Sequence, residues 1–290
     1  MLARAGVESC QVNSLEATYC ETEQPDLLMQ DLSLVAYTTA LDMPGIGRAT
    51  GSTPRTLDEM EAAQDWFFDR YAAHAVAVKS QAAYGRRLDY ADVRRDAAGP
   101  LFDRFARGEQ LAPSDRKALE DYLMRRAIGL ATRRRLPVKL HCGYYAGHGR
   151  MPLERVRQNA GDLCPLLADF PDTTFVLMHI GYPYQDEYVA LAKHYPNAHV
   201  DLCWAWIINP AATARFVAEF LVAAPASKLF TFGGDYANVE PVVGHAQIAR
   251  QGLAQALEQL VETGWLSPEE ALDLVEPLMR GNARRPRYGR

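Results

Sequence analysis

The chain has 290 residues, of which 48% are hydrophobic and 23% are charged, and its formal net charge is −5. This is the composition of a globular protein, long enough for one large α/β domain or two smaller ones. The negative charge argues against a nucleic-acid or anionic-membrane partner, because both need a cationic surface.

Seven short segments rich in β-branched or aromatic residues are predicted, in chain order, as strands. Their length and composition suit strands that are buried on both faces. The segments between them have apolar residues at helical spacing, and the first residues, MLARAG, resemble the end of a helix that stops at Gly6. The predicted strands lie near 8–13, 32–37, 75–79, 137–141, 174–178, 198–202 and 229–232, and the main predicted helices span 56–73, 114–135, 152–171, 186–196, 209–225, 241–264 and 267–285.

Alternating strands and helices predict βαβ units and a parallel sheet. A (β/α)8 TIM barrel has eight strands, so we interpret the chain as a barrel that lacks its first strand, forming a single domain over residues 1–290. The charged segment 85–113 is predicted to be an insertion that is helical in part. The glycine-rich segment 45–52 is predicted to be a flexible loop, because it lacks the Lys-Ser/Thr ending of a phosphate-binding loop.

Five cysteines, widely spaced and without a CxxC pair, predict neither a disulfide framework nor a cysteine zinc site. A reducing, cytoplasmic location is therefore expected. Every apolar run is shorter than the ~18 residues of a membrane span, and the N-terminus lacks the apolar core of a signal peptide. Cys142 is predicted to be a core thiol, because strand alternation directs it away from His141.

Polar side chains follow the last four predicted strands. His141 ends the fourth strand and His179 follows the fifth. Asp201 and Trp204 come at the end of the sixth, and Asp235 comes after the seventh. The active sites of such barrels lie at the carboxyl ends of the strands, so these side chains are expected to converge. Two imidazoles and a carboxylate suit Zn²⁺, with Mn²⁺ or Fe²⁺ as alternatives. Asp235 is interpreted either as a ligand or as the base that takes a proton from metal-bound water.

Further candidates for substrate binding are Lys79, at the end of the third predicted strand, and Trp204. The glycine-rich loop after His141 carries further candidates for binding a substrate carboxylate or ring, namely Tyr144, Tyr145, His148 and Arg150. Ordinary packing of Trp204 and a plain surface loop at 144–150 remain the alternatives. The remaining histidines, His74, His194, His199 and His245, are interpreted as structural.

The segments HCG, HIGYPY, NAHVDLCW, SKLFTFGGDY and GNARRPRYG, in this order, resemble the amidohydrolase superfamily. The nearest branch is the amidohydrolase-2, or amidohydrolase-related, family of metal-dependent TIM-barrel hydrolases and decarboxylases. The segment HAVAVKSQAAYGRRL is similar to the amidohydrolase-like domain that is fused to glutamine synthetase-like proteins. The resemblance runs over about residues 74–288.

The resemblance implies that His141 is a metal ligand and that His179 is a second ligand or a proton-transfer residue. It implies that Asp235 is a ligand that activates water. Lys79 stands where some members carry a carboxylated lysine, and the alternative is a lysine that reaches a substrate carboxylate or merely a neighbouring acid. The family's His-x-His after strand one occurs nowhere in this sequence, so a metal would be held here by three residues at most.

The expected function is therefore metal-dependent hydrolysis of a small, carboxylate-bearing substrate through metal-activated water. A decarboxylase, a uronate-isomerase-like enzyme, and a catalytically degenerate barrel that serves as a binding module are the alternatives. The expected partner is a small molecule, without nucleic acid or membrane. A homodimer is also expected, since dimers are common among such barrels.

Overall fold

The computed structural model describes residues 1–14 and 18–284. The described residues form seven strands, which alternate with helices from β2 onward and follow one another in the sheet in chain order. The pairs β2–β3, β5–β6 and β6–β7 are parallel. The strands are β1 Cys10–Val12, β2 Leu28–Ser33, β3 Ala75–Ser80, β4 Val138–His141, β5 Phe175–Met178, β6 Ala198–Asp201 and β7 Leu229–Phe230.

The helices of the described residues also agree with most of the predicted ones. The end of the last predicted helix, residue 285, lies outside the described residues. Short 3₁₀ turns follow β3, follow β5 and precede β7, and a π-helical turn spans Pro277–Gly281. The helices are α1 Leu2–Ala5, α2 Val35–Thr38, α3 Met43–Thr50, α4 Leu57–Tyr71, α5 Arg95–Ala106, α6 Pro113–Arg133, α7 Leu153–Asp169, α8 Asp186–His194, α9 Ala205–Ile208, α10 Pro210–Ala223, α11 Val242–Glu262, α12 Pro268–Glu276 and α13 Asn282–Arg284.

The predicted strand at 32–37 is displaced. The structure places β2 at Leu28–Ser33 and continues with helix α2. The Thr38 hydroxyl donates to the carbonyl oxygen of Leu34 at 2.7 Å, a bond within a helical turn. Gln30 and Asp31 are buried inside β2. Because they interrupt its apolar run, a prediction from hydrophobic pattern does not identify this strand.

The prediction of a flexible loop at 45–52 is wrong, because helix α3 occupies most of this segment. Asp42 caps the helix by accepting a hydrogen bond from the Gly45 amide at 3.0 Å. Gly51, with φ of 83°, ends it in the left-handed conformation that glycine adopts without strain. An Asp cap and a glycine stop were both readable in the sequence.

The chain forms two compact units, Gln11–Lys139 and Met1–Cys10 with Leu140–Arg290. A single domain over residues 1–290 stays a prediction. The predicted insertion at 85–113 lies in the Gln11–Lys139 unit and is helical over α5. In the same unit Lys139 on β4 pairs with Asp31 on β2 at 2.8 Å, and both side chains are buried.

In the other unit, α1 packs on α11. Ala5 contacts Val242 and Ala246 in an apolar cluster. The indole N–H of buried Trp206 donates to the Thr231 carbonyl oxygen at 2.8 Å. Across the described residues, no helix combines the length and the apolar character needed to cross a bilayer.

His245 on α11 is 2% exposed, and neither of its ring nitrogens has a hydrogen-bond partner. Its ring lies 4.9 Å from the ring of Phe232 and 6.0 Å from that of Tyr236. Burial lowers the pKa of His245 to about 4, because desolvation penalises the imidazolium. Burial also raises the pKa of Tyr236 to about 12, so this phenol stays neutral in acid.

This depressed pKa predicts a loss of stability in acid. The unfolded chain binds more protons than the folded one between the unfolded pKa of ~6.5 and the folded value, so stability falls as the pH is lowered through this range. The free energy of unfolding is expected to fall by about 2 kcal/mol between pH 7.5 and pH 5, a value reduced to allow for solvent screening. His245→Leu should abolish it, as measured by urea unfolding at pH 7.5 and pH 5. An equal loss in His245→Leu and in the wild type would contradict the prediction, and exposed His74→Ala is the control.

Candidate metal centre

Three side chains predicted to converge do so in the unit that contains Leu140–Arg290. His141 is the last residue of β4, and His179 is the first residue after β5. Asp235 lies on the loop that follows β7. The two histidines are fully buried, at 1% and 0% exposure, whereas the Asp235 side chain is 27% exposed. Possible ligand atoms of the three residues lie within 4.8 Å of one another.

His179 lies between the other two side chains of the set. Its Nε2 lies 2.9 Å from Nδ1 of His141 and 3.6 Å from Oδ2 of Asp235. The imidazole centroids are 4.4 Å apart. Nitrogen and oxygen atoms that ligate one ion at ~2 Å have separations in this range.

A backbone carbonyl fixes the tautomer of His179. Its Nδ1 lies 2.8 Å from the carbonyl oxygen of Cys203, so this nitrogen must carry the proton and donate it. The lone pair is then on Nε2, the atom that faces His141 and Asp235. Metal-ligating histidines are commonly oriented by a hydrogen bond of this kind.

Asp201 supports the carbonyl that orients His179. Its Oδ1 accepts a hydrogen bond from the Cys203 amide at 2.8 Å. Ligand atoms of His179, Asp201 and Cys203 also lie within 4.8 Å of one another. We favour the set with His141 and Asp235, because Nδ1 of His179 and Oδ1 of Asp201 are already engaged by the Cys203 backbone.

The backbone is strained at the same place. His179, Trp204 and Asp235 have φ values of 64°, 65° and 45°. Residues other than glycine rarely adopt these values, and such strain concentrates at functional sites, where the surrounding structure holds it. Three different loops thus place strained residues around one point.

Aromatic rings flank the two imidazoles. The Trp204 indole stacks on His179 with centroids 4.4 Å apart and an angle of 20° between the planes. Tyr145 meets His141 edge to face at 5.9 Å, and its hydroxyl accepts hydrogen bonds from Nε and Nη2 of Arg155 at 3.2 and 3.1 Å. Tyr145 is a candidate on the predicted substrate-binding loop, and that role stays a prediction, whereas Arg155 is not among the predicted site residues.

Close packing between the loops depends on a glycine after Cys142. A Cβ on Gly143 would lie 2.9 Å from the Tyr182 amide nitrogen and 3.1 Å from the His179 carbonyl oxygen. Cys142 is fully buried, and burial raises the pKa of its thiol to about 12, so it is not a nucleophile at neutral pH. The interpretation of Cys142 as a core thiol is confirmed.

The other predicted substrate-binding residues are more scattered. Tyr144 is 37% exposed, and its ring lies 6.2 Å from that of Tyr182. His148 and Arg150 are exposed on the loop that joins β4 to α7. Lys79 is 3% exposed and belongs to the Gln11–Lys139 unit. A role in substrate binding stays a prediction for all four residues.

The order of strands and helices, with histidines at the end of β4 and directly after β5 and an aspartate after β7, defines a TIM-barrel protein with a candidate metal centre. A family model described as amidohydrolase matches residues 24–285. The chain therefore belongs to the amidohydrolase family, and the predicted family is confirmed.

Solved structures share the fold. A protein described as a metal-dependent hydrolase from Lactobacillus casei ATCC 334 superposes with a TM-score of 0.77 at 18% identity, covering 99% of this chain and 74% of that one. A uronate isomerase from Thermotoga maritima gives 0.78 at 15% identity, covering 97% and 68%. An uncharacterised TIM-barrel protein from Bordetella bronchiseptica gives 0.51 at 17% identity, covering 98% and 79%. The predicted fold, a (β/α)8 barrel with seven strands among the described residues, is confirmed.

One curated relative matches part of the chain. Protein fluG of Emericella nidulans is 27% identical over 176 residues, which cover 58% of this chain and 20% of that protein. The chain thus spans about one fifth of the length of this relative.

Proposed function

We propose that this protein is a metal-dependent hydrolase of the amidohydrolase-2 type that acts on a small, carboxylate-bearing substrate. The observation that carries the proposal is the convergence of His141, His179 and Asp235 within 4.8 Å. Two imidazoles and one carboxylate leave a fourth position open for water or substrate. Catalytic zinc sites have this composition, whereas structural zinc sites are closed by four protein ligands.

The donors fit a divalent ion, with Zn²⁺ first and Mn²⁺ or Fe²⁺ as alternatives. When bound, such an ion supplies Lewis acidity and lowers the pKa of water to about 7. His141 and His179 would hold it with ring nitrogens, and the Cys203 carbonyl keeps the His179 lone pair on Nε2. Asp235 would complete the set of donors.

Asp235 is also suited to moving a proton. Its carboxylate is partly exposed, so an attacking water can reach it, while its Oδ2 stays 3.6 Å from Nε2 of His179. In the proposed mechanism Asp235 accepts the proton of the attacking water and returns it to the leaving group. As a ligand through Nε2, with Nδ1 engaged by the Cys203 carbonyl, His179 contributes to stabilising the developing charge. Proton transfer is its role in the alternative in which it does not ligate the ion.

The proposed substrate contacts within the unit that contains Leu140–Arg290 come from Tyr144, His148, Arg150 and Trp204. Arg150 would pair with the substrate carboxylate, and Tyr144 and Trp204 would contact its apolar part. Exposure of Tyr144, His148 and Arg150 on one loop supports their access to a ligand. A small-molecule partner, a homodimer and a cytoplasmic location complete the proposal. The wide spacing of the five cysteines, without a CxxC pair, supports the reducing compartment.

The test is a substrate screen of the purified protein with N-acyl amino acids, lactones and uronates. We expect hydrolysis of a carboxylate-bearing amide or ester that is lost on treatment with dipicolinate and restored by Zn²⁺. Release of CO₂ would identify a decarboxylase, and conversion of a uronate to its ketose would identify an isomerase. Metal-loaded protein without any turnover would support a binding module instead.

A further inference from the structure

We propose that Trp204 is a positioning residue that holds both His179 and Asp235 in the arrangement needed to bind a metal ion. The inference rests on the proposed function, because it assigns the metal site to these residues. It adds a role to Trp204 that differs from an apolar wall for the substrate.

The first contact is with His179. The indole and the imidazole are stacked with centroids 4.4 Å apart and planes 20° apart. The Cys203 carbonyl fixes one edge of the imidazole at Nδ1, and the indole covers one of its faces. A ring held at an edge and at a face has a defined plane, so the lone pair on Nε2 has a defined direction.

The second contact is with the loop that carries Asp235. The indole Nε1 donates to the Asp235 carbonyl oxygen at 2.6 Å. The Trp204 amide donates to the Gly233 carbonyl oxygen at 3.1 Å. The φ of Asp235 is 45°, a conformation that costs free energy unless neighbouring contacts hold it. Two hydrogen bonds from one residue therefore tether the strained loop.

The backbone of Trp204 supports a specific role for its side chain. Its φ of 65° lies in the left-handed region, where glycine is favoured over any bulky residue. A residue chosen for backbone geometry alone would be glycine. The contacts of the indole with His179 and Asp235 give a reason for tryptophan at this position.

Trp206, two positions further along the chain, offers a matched comparison. It is also a tryptophan whose indole N–H donates to a backbone carbonyl oxygen, that of Thr231, at 2.8 Å. Trp206 is fully buried and packs against Gly252 of α11. A loss of indole hydrogen bonding can thus be compared at the two positions.

The experiment measures Zn²⁺ dissociation constants by competition with a chromogenic chelator for wild type, W204F, W204G and W206F. Orienting residues of this type affect metal affinity by about 10- to 100-fold. W204F keeps an aromatic face but loses the N–H, so about 10-fold weaker binding is expected. W204G loses both contacts, so about 100-fold weaker binding is expected, and W206F should stay within about 3-fold of wild type. Thermal unfolding verifies that each variant is folded.

A second measurement needs no metal. The Trp204 indole stacks on the His179 imidazole and keeps it in the plane in which Nδ1 reaches the Cys203 carbonyl oxygen. Nitrogen-15 NMR of the imidazoles at one fixed pH should therefore show His179 as the single Nδ1–H tautomer in wild type and W206F. It should show a mixture of tautomers in W204G, whose imidazole can turn away from that carbonyl. Zn²⁺ affinity of W204G within 2-fold of wild type, or a His179 tautomer that W204G leaves unchanged, would overturn the proposal for Trp204. Absence of Zn²⁺ binding by the wild type overturns the proposed function, and the tautomer result then still decides whether Trp204 positions His179.

Discussion

Asp235→Asn is expected to lower kcat about 10³-fold on the substrate that the wild type hydrolyses. Asparagine keeps the size of the side chain and an oxygen donor, but its amide cannot accept a proton from water. General-base catalysis contributes about 10²- to 10⁴-fold, and 10³-fold corresponds to about 4 kcal/mol of transition-state stabilisation. The measurement is steady-state kinetics at saturating Zn²⁺, with KM expected to change much less than kcat.

The control for this variant is Asp172→Asn, which removes an exposed carboxylate in the turn between α7 and β5. It should retain the kcat of the wild type within about 2-fold, since surface substitutions are usually near neutral. If Asp235→Asn kept more than a tenth of the wild-type kcat, Asp235 would not be the base. Its remaining role would then be that of a metal ligand.

Lys139→Ala is expected to destabilise the protein by about 3–5 kcal/mol. Lys139 and Asp31 are 7% and 3% exposed and pair at 2.8 Å. Oδ1 of Asp31 already lacks a hydrogen-bond partner, so loss of the ammonium would leave a buried carboxylate without compensation. Removal of one partner from a buried pair has costs of this size. Urea or guanidinium unfolding at pH 7.5 measures the effect.

The double variant with Asp31→Leu and Lys139→Met distinguishes two contributions to stability, that of the ion pair and that of burying an unpaired charge. Apolar residues of similar volume often replace a buried pair with a neutral or stabilising effect. The double variant should therefore be much more stable than Lys139→Ala. Arg107→Ala, which breaks an exposed pair with Glu109, should leave the unfolding midpoint unchanged. A double variant as unstable as Lys139→Ala would contradict this prediction. It would show that the pair itself, and not only the compensation of a buried charge, stabilises the fold.

The strand pattern and the three donors could be predicted because both depend on local sequence. Each buried strand is a short apolar run, and parallel strands bring their carboxyl ends to one edge of the sheet. His141 ends one such run, His179 follows the next directly, and Asp235 lies on the loop after the last, so their convergence follows from strand order. The displaced β2 shows the limit of this reasoning, since Gln30 and Asp31 interrupt its apolar pattern.

The residues that orient the donors could not be predicted, because their contacts depend on backbone geometry. Trp204 contacts His179 and Asp235 from a backbone with φ of 65°, which no sequence pattern specifies for tryptophan. The pairing of Lys139 with Asp31 spans 108 positions. The hydrogen bonds of Arg155 to Tyr145 connect a helix with the preceding loop. These contacts depend on the three-dimensional arrangement of residues that are distant in sequence, so local sequence patterns do not reveal them.

Metal analysis of the purified protein tests the central claim most directly. Inductively coupled plasma mass spectrometry of the wild type should find about one equivalent of zinc or manganese per chain. His141→Ala should lose that ion, whereas His194→Ala, at an exposed histidine in the last turn of α8, should retain it. Wild-type protein without a divalent ion after incubation with Zn²⁺ or Mn²⁺, or a His141→Ala variant that keeps the full equivalent, would contradict a metal centre formed by His141, His179 and Asp235.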